Sequence, residues 1–335
     1  MKSALCISVC SIALAATSFA AENEPDKTMP SSGGKGSFEP ATHPKPSQPR
    51  VLLAGGTKAK AKAEVPANVR VERDVVFLTD DRTEKADLYF PLEAPKAARM
   101  PAVVWIHGGG WNGGQRDGNR EVNVCGTLAG NGYVAMSIDY KLAMTGGAVW
   151  PQNLADCKTA VRWLRKNAER LRIDPERIGV MGGSAGGHLA AMVALTTKED
   201  GLDPAGPYGD FSCAVRCCVD MYGITDIARY HDVKMLGKTI AEAPELYRLA
   251  SPLTYVRSSS PPFLILHGTA DTTVKIDQSK WLAAALAKAG VAHELVIIPD
   301  APHTFDLQPK QRDLRPVVLG FLDKYLKAPA PKLNP

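Results

Sequence analysis

The sequence predicts a single α/β domain built on a mostly parallel sheet flanked by helices. Two observations predict it. Short apolar runs alternate with segments of helical spacing over most of the chain, and several of those runs are apolar at every position rather than at every second one. A continuous apolar run suits a strand covered on both faces, which is the situation of a parallel sheet between helical layers. No internal repeat and no second domain interrupt the alternation.

The elements follow in order. Residues 71–78 and 85–90 alternate in polarity around Asp80-Asp81 and read as an N-terminal hairpin. Residues 102–106 and 133–138 are buried-strand runs. Residues 153–171 carry Ala160, Val161, Leu164, Ala168 and Leu171 at helical spacing and stop before Asp174-Pro175. Residues 178–181 form a strand and 186–195 a helix. Residues 217–221, 263–266 and 295–298 complete the strands, and 281–289 and 317–326 are late helices. Between them, 225–256 is helix-prone but broken by Pro244 and Pro252, as a short cap-like insertion over the strand ends would be.

The first residues do not belong to this domain. Lys2, the apolar run Ala4 to Thr17 and the small-residue end Ser18-Phe19-Ala20 describe a secretory leader over 1–20, too short to span a bilayer. Residues 21–70 are rich in Pro, Lys, Gly, Ser and Ala and read as a disordered tether, which cannot bury enough apolar surface to offset its ordering entropy. The domain is expected over 71–328, with a tail at 329–335. A secreted or periplasmic protein with no membrane span after leader cleavage follows. Lys2 and a surplus of three cations in the tether account for all but about one of the formal +5 charges. The domain itself therefore lacks the basic cluster that a nucleic-acid surface needs. Five of the seven cysteines, Cys125, Cys157, Cys213, Cys217 and Cys218, lie beyond the leader. One bridge using Cys213, in a polar loop, stands beside the reading of all five as buried apolar thiols. No Cys or His spacing suggests a metal, and no cofactor is implied.

Chemistry concentrates at three places. Gly182-Gly183-Ser184-Ala185-Gly186 sits between an apolar strand and a helix rich in Ala and Leu. That is the context of a nucleophile elbow, where small neighbours permit a tight turn and the helix start favours developing negative charge. His107-Gly108-Gly109-Gly110-Trp111 follows a buried strand and supplies backbone N–H groups that can approach an oxyanion closely. Gly109, Gly110 and Ala185 are the expected donors, with the Trp111 N–H as a substitute. For the base, His43 lies in the tether and His107 in the glycine loop. His188 is one turn into the elbow helix, where a structural role fits better, and His267 ends a strand. His231 and His293 have no strand end beside them. His303, after the last strand, remains. Asp271, after His267-Gly268, is the expected acid, with Asp277 and Asp220 as competitors; the order Ser, Asp, His is that of the α/β-hydrolase fold.

From about residue 75 to 326 the chain resembles secreted esterases of the α/β-hydrolase superfamily related to hormone-sensitive lipase, above all the acetylxylan and feruloyl esterase type. The residues that carry the likeness are His107 to Trp111, Ile138 to Leu142, Asp156, Gly182 to Leu189, Ala250-Ser251-Pro252-Leu253, His267 to Asp271 and His303. Gly237-Lys238 departs from it, standing where relatives often have a run of glycines. The resemblance implies cofactor-free ester hydrolysis. Short-chain acyl esters are the expected substrates, on a small molecule or on a polysaccharide such as xylan, with Trp111, Tyr140, Tyr222 and Trp150 as candidate aromatic walls, beside the reading of each as core or rim packing, which is the more common fate of such residues. Amide hydrolysis on the same fold, lipid or xenobiotic ester hydrolysis, and a non-catalytic binding role are the rival readings. The intact serine, histidine, acid and glycine loop weigh against the last.

Overall fold

The computed structural model describes residues 63–93, 98–144 and 147–327. The expected leader, most of the expected tether and the tail lie outside these residues. Eight strands form one sheet in the order β1 (Val69–Val75), β2 (Ala86–Pro91), β4 (Val134–Ile138), β3 (Met100–Ile106), β5 (Ile173–Gly183), β6 (Cys218–Met221), β7 (Phe263–Gly268) and β8 (His293–Ile298). β2 runs antiparallel to both β1 and β4, and every other pairing is parallel. This is the mostly parallel α/β sheet that the alternating runs predict, in the α/β-hydrolase arrangement that the motifs and the resemblance imply.

The alternation of side chains divides the core in two. On β3, Ala102, Val104 and Ile106 face one helical layer and Val103 and Trp105 the other, and all seven residues of the strand are buried. The first layer holds α2 (Gln152–Lys166), α4 (Ala185–Leu195) and α6 (Asp277–Lys288); the second holds α1 (Asn119–Gly130) and α7 (Arg315–Leu322). Each fully buried large side chain of this kind stabilises the fold by roughly 1.5–3 kcal/mol, so a strand buried on both faces needs no polar positions.

Several boundaries differ from the sequence reading, each for a physical reason. β1 begins at Val69, which is buried, and Val65 packs against the same core. The folded part therefore reaches back into the stretch assigned to the tether. The helix expected over 153–171 is two, α2 and α3 (Ala168–Leu171), divided at Asn167. α1 has no counterpart among the expected helices. Its N-cap is Gly118, which makes no side-chain cap, and it carries β-branched Val122 and Val124, so local signals for it are weak. The insertion between β6 and β7 is a series of short turns around the six-residue α5 (Pro244–Leu249), as its prolines dictate. The five described cysteines are all free and buried, so Cys213 forms no bridge.

Candidate active site

β5, β7 and β8 deliver one chemical group each to the same edge of the sheet. At the end of β5 the chain turns into α4 through Ser184, whose φ of 58° and ψ of −122° lie where residues with a side chain rarely sit. The turn is locked from both sides: the Ser184 amide donates to the Met221 carbonyl at 2.9 Å, and its carbonyl accepts from the His188 amide at 3.0 Å. The glycines around it are steric necessities. A Cβ on Gly186 would stand 2.0 Å from the Ile106 carbonyl oxygen, and one on Gly182 would stand 2.2 Å from the Gly186 carbonyl oxygen. The serine hydroxyl is held at the strand end with 9% of the residue exposed.

His303, on the loop after β8, has Nε2 2.9 Å from Ser184 Oγ and Nδ1 2.6 Å from Asp271 Oδ2. The three residues expected to act together are thus joined in one hydrogen-bonded chain. Asp271 reaches its place on the loop after β7, where its other oxygen accepts the Thr273 and Val274 amides at 2.9 Å each. Burial on its own would raise the carboxyl pKa. Hydrogen bonds from His267, His303 and the Val274 amide outweigh it and hold the group ionised well below the usual carboxylate range. Of the competitors, Asp277 is exposed beside Lys280, and Asp220 is buried and accepts the Gly223 amide at 2.9 Å.

The glycine loop lies against the elbow. A side chain on Gly108 would meet the Gly183 carbonyl oxygen at 2.8 Å and Ser184 Cβ at 3.3 Å. Gly109 and Gly110 take φ values of 126° and 61°, and Trp111 follows at 58°. The loop folds on itself through the Gly109 carbonyl, which accepts the Asn112 and Gly113 amides at 3.1 Å each. Gly109, Gly110 and Ala185 are therefore backbone positions on two segments that meet beside the serine.

The aromatic residues expected to line the site do something else. Trp111, Tyr140 and Tyr222 are 2%, 1% and 0% exposed, so none presents a face to a substrate. Their polar atoms serve the protein: the Trp111 indole donates to His188 Nδ1 at 3.1 Å, the Tyr140 hydroxyl to the His107 carbonyl at 2.9 Å, and the Tyr222 hydroxyl to the Phe305 carbonyl at 2.6 Å. Tyr222 also meets the His303 ring edge-on, with centroids 5.0 Å apart. These residues shape the loops that carry the reacting groups. Trp150 is only half-buried.

His267 has a role that the sequence reading does not assign. Its Nε2 lies 2.9 Å from the Val274 carbonyl and 3.2 Å from Asp271 Oδ2, and its Nδ1 is 2.7 Å from Ser279 Oγ. Both neighbours of Nε2 are acceptors, so that nitrogen carries the proton and donates to them. The spacing His267-x-x-x-Asp271 is the one signal of this contact in the sequence. Chemically, the chain from Ser184 to Asp271 can move a proton off the hydroxyl onto His303 while the carboxylate stabilises the cation that forms.

The BD-FAE family model matches residues 86–286. Esterase LipQ of Mycobacterium tuberculosis is 31% identical over 70% of this chain and 57% of its own. Ethyl acetate hydrolase of Pseudomonas putida is 32% identical over 68% of this chain and 72% of its own. Among solved structures, a truncated carbohydrate esterase from gut microbiota superimposes with a TM-score of 0.73 at 25% identity, over 80% of this chain and 100% of that one. The chain spans about three-fifths of the length of LipQ, LipC and LipM of Mycobacterium tuberculosis.

Proposed function

The chain belongs to the BD-FAE family of α/β-hydrolases, and on that footing we propose that it is an exported serine carboxylesterase that removes short-chain acyl groups such as acetyl, or the aromatic feruloyl group, from plant polysaccharide such as xylan. One observation carries the reading: His303 bridges Ser184 Oγ and Asp271 Oδ2 at 2.9 and 2.6 Å.

Ser184 Oγ attacks the ester carbonyl carbon while its proton passes to His303 Nε2. The imidazolium is held in one orientation by its Nδ1–H bond to Asp271, whose low pKa keeps it a carboxylate throughout. The carbonyl oxygen becomes an oxyanion beside the amides of Gly109, Gly110 and Ala185; one such donor is worth about 3–4 kcal/mol in the transition state. His303 returns the proton to the leaving alcohol, giving an acyl-serine. Water then attacks the acyl carbon, with His303 first taking and then giving back a proton, and the acid leaves.

Three features support short acyl groups on an extended, polar alcohol. The insertion between β6 and β7 is a series of turns around one six-residue helix rather than a long apolar lid. The likeness to a carbohydrate esterase covers the whole of that chain. The expected leader and tether fit an enzyme that works outside the cell on an immobile substrate. The test compares acetate release from acetylated xylan, ferulate release from a feruloylated arabinoxylan, and hydrolysis of p-nitrophenyl esters of increasing length. Acetate or ferulate release is expected, with a steep decline among the linear p-nitrophenyl esters as the acyl chain lengthens. Hydrolysis of long-chain esters with no release from polysaccharide would overturn the substrate reading. Ser184→Ala should lower kcat by about 10⁶-fold, and activity within tenfold of the unmodified protein would overturn the nucleophile.

A further inference from the structure

The amides that face the oxyanion sit on two segments far apart in sequence, Gly109 and Gly110 after β3 and Ala185 at the start of α4. Close glycine contacts set how near these segments come: Gly186 against the Ile106 carbonyl, and Gly108 against that of Gly183. Proximity alone does not fix the rotation of a loop with three consecutive positive φ values, and an amide rotated away stabilises nothing. The Gly109 carbonyl accepts the Asn112 and Gly113 amides, and the Trp111 carbonyl accepts the Ala143 amide at 2.9 Å, but none of these bonds ties the loop to the helix that carries Ala185. A side-chain contact does.

His188 lies one turn into α4 and is wholly buried. Its Nδ1 is 3.1 Å from the indole Nε1 of Trp111, and its Nε2 is 2.8 Å from the Ala250 carbonyl. An indole N–H can only donate and a carbonyl can only accept, so Nδ1 is bare and Nε2 carries the hydrogen. The ring is a neutral imidazole in a single tautomer. Burial agrees with this, pushing its pKa down to about 4 against the pull of the Ala250 carbonyl. Trp111 directly follows the two donor glycines, and its ring stands edge-on to His188 with centroids 5.2 Å apart. The third segment, Ala250-Ser251, is itself anchored, since Ser251 Oγ accepts the Ile227 amide and donates to the Tyr247 carbonyl.

We infer that His188 is a positioning residue of the oxyanion hole: it clasps the glycine loop, through Trp111, to the helix that carries the Ala185 amide and to the Ala250 segment. The inference rests on the acyl-transfer reading above. Only the acceptor at Nδ1 matters to the loop, so an apolar ring of similar size would fill the space without orienting the amides. The clasp also accounts for Ala250-Ser251-Pro252-Leu253, which the reaction itself does not use.

The test uses the full chain, p-nitrophenyl acetate, and an aryl trifluoromethyl ketone. Ser184 Oγ adds reversibly to the ketone carbonyl, its proton passing to His303, and the hemiketal oxygen occupies the oxyanion position. His188→Leu should lose about 10–100-fold in kcat with KM within about threefold, and lose ketone affinity by a similar factor. His188→Asn, whose Oδ1 falls near the Nδ1 position and can accept the indole hydrogen, should lose less than about tenfold. Trp111→Phe, which removes the donor, should fall with His188→Leu, and combining the two should add no more than about threefold. Equal losses in the Leu and Asn variants, additive losses in the double variant, or a change confined to KM would overturn the inference. If His188→Leu does not fold, the comparison of His188→Asn with Trp111→Phe decides: a smaller loss in the Asn variant supports the clasp, and an equal or larger one overturns it. Labelling by a fluorophosphonate separates the two levels. An unmodified protein that neither labels nor turns over refutes the esterase reading, whereas an active one whose His188→Leu variant keeps full ketone affinity refutes only the clasp.

Discussion

β3 and β7 both run into a His–Gly pair, His107-Gly108 and His267-Gly268, and the two corners use it differently. The glycines do the same work. A Cβ on Gly108 would meet the Gly183 carbonyl oxygen at 2.8 Å, and one on Gly268 would meet the Ala301 carbonyl oxygen at 2.1 Å. Each bare position lets a neighbouring segment that carries a reacting side chain come close, Ser184 in one case and His303 in the other. The histidines differ. His107 bonds its own neighbour, Nδ1 to the Gly108 carbonyl at 2.7 Å, and stacks on Tyr140 at 4.4 Å between centroids. His267 spends both nitrogens on other segments and touches the Asp271 carboxylate. One corner presents backbone to the reaction and needs its histidine only to shape the loop. The other presents a side chain and needs its histidine to hold that side chain still. A dipeptide motif therefore identifies a corner of the sheet without stating what the corner does.

Substitutions can break this contrast in graded steps. The largest effect is expected for Asp271→Asn, about 10⁴-fold in kcat, because the group that orients the His303 tautomer is lost. Gly268→Ala should follow at about 10²-fold, since its 2.1 Å overlap with a backbone oxygen must displace the His303 loop. Gly108→Ala, with a 2.8 Å contact, should cost less than Gly268→Ala in the same p-nitrophenyl acetate assay. If the order of the two glycine variants is reversed, the two corners do not use their glycines alike. His267→Leu should lower kcat about tenfold, because Asp271 loses a donor that holds its carboxylate in place. His267→Gln, which keeps a donor near the Nε2 position, should lose less.

A separate contrast, read on a different scale from the rates, lies in stability against pH. His188 is buried with its pKa lowered to about 4, so the unfolded chain takes up its proton first and the folded state loses about 3 kcal/mol between roughly pH 6.5 and 4. Asp220 is buried with its pKa raised to about 6, mainly by desolvation, so the folded state gains about 3 kcal/mol over roughly pH 6 to 4. The two nearly cancel in the unmodified protein. Urea unfolding at pH 7, 5 and 4 should show His188→Asn gaining stability in acid and Asp220→Asn losing it; equal slopes for the two variants would refute this pairing.

The parts of the site that were legible in the sequence are those set by local backbone demands. The elbow around Ser184 and the glycines after β3 need particular residues at fixed offsets; the His-Gly turn at the end of β7 singles out Asp271, and the loop after the last strand singles out His303. Contacts between distant segments were not legible. His188 meets Trp111 and Ala250 at separations of 77 and 62 residues, and nothing beside it in the chain announces either partner. Its i+4 offset from Ser184 was the one clue, since residues four apart share a helix face. The wall and core readings of Trp111, Tyr140 and Tyr222 stay undivided in the sequence for the same reason: an aromatic beside a reacting group reads alike whether it faces solvent or core. The strands showed most clearly where they are buried on both faces, as in β3, and least where a capless helix such as α1 relies on packing alone.

The five buried thiols make the molecule its own unfolding gauge. Burial pushes Cys213 up to about 11 and Cys217 up to about 12, and raises Cys125, Cys157 and Cys218 well above the ordinary thiol value. Near neutrality almost no thiolate exists to attack an electrophile while the chain is folded. A maleimide added at pH 7 would thus count openings of the structure. Cys213, 4% exposed in the loop before β6, should react ahead of the four sealed in the core, so that local breathing and global collapse are read by mass on the same sample.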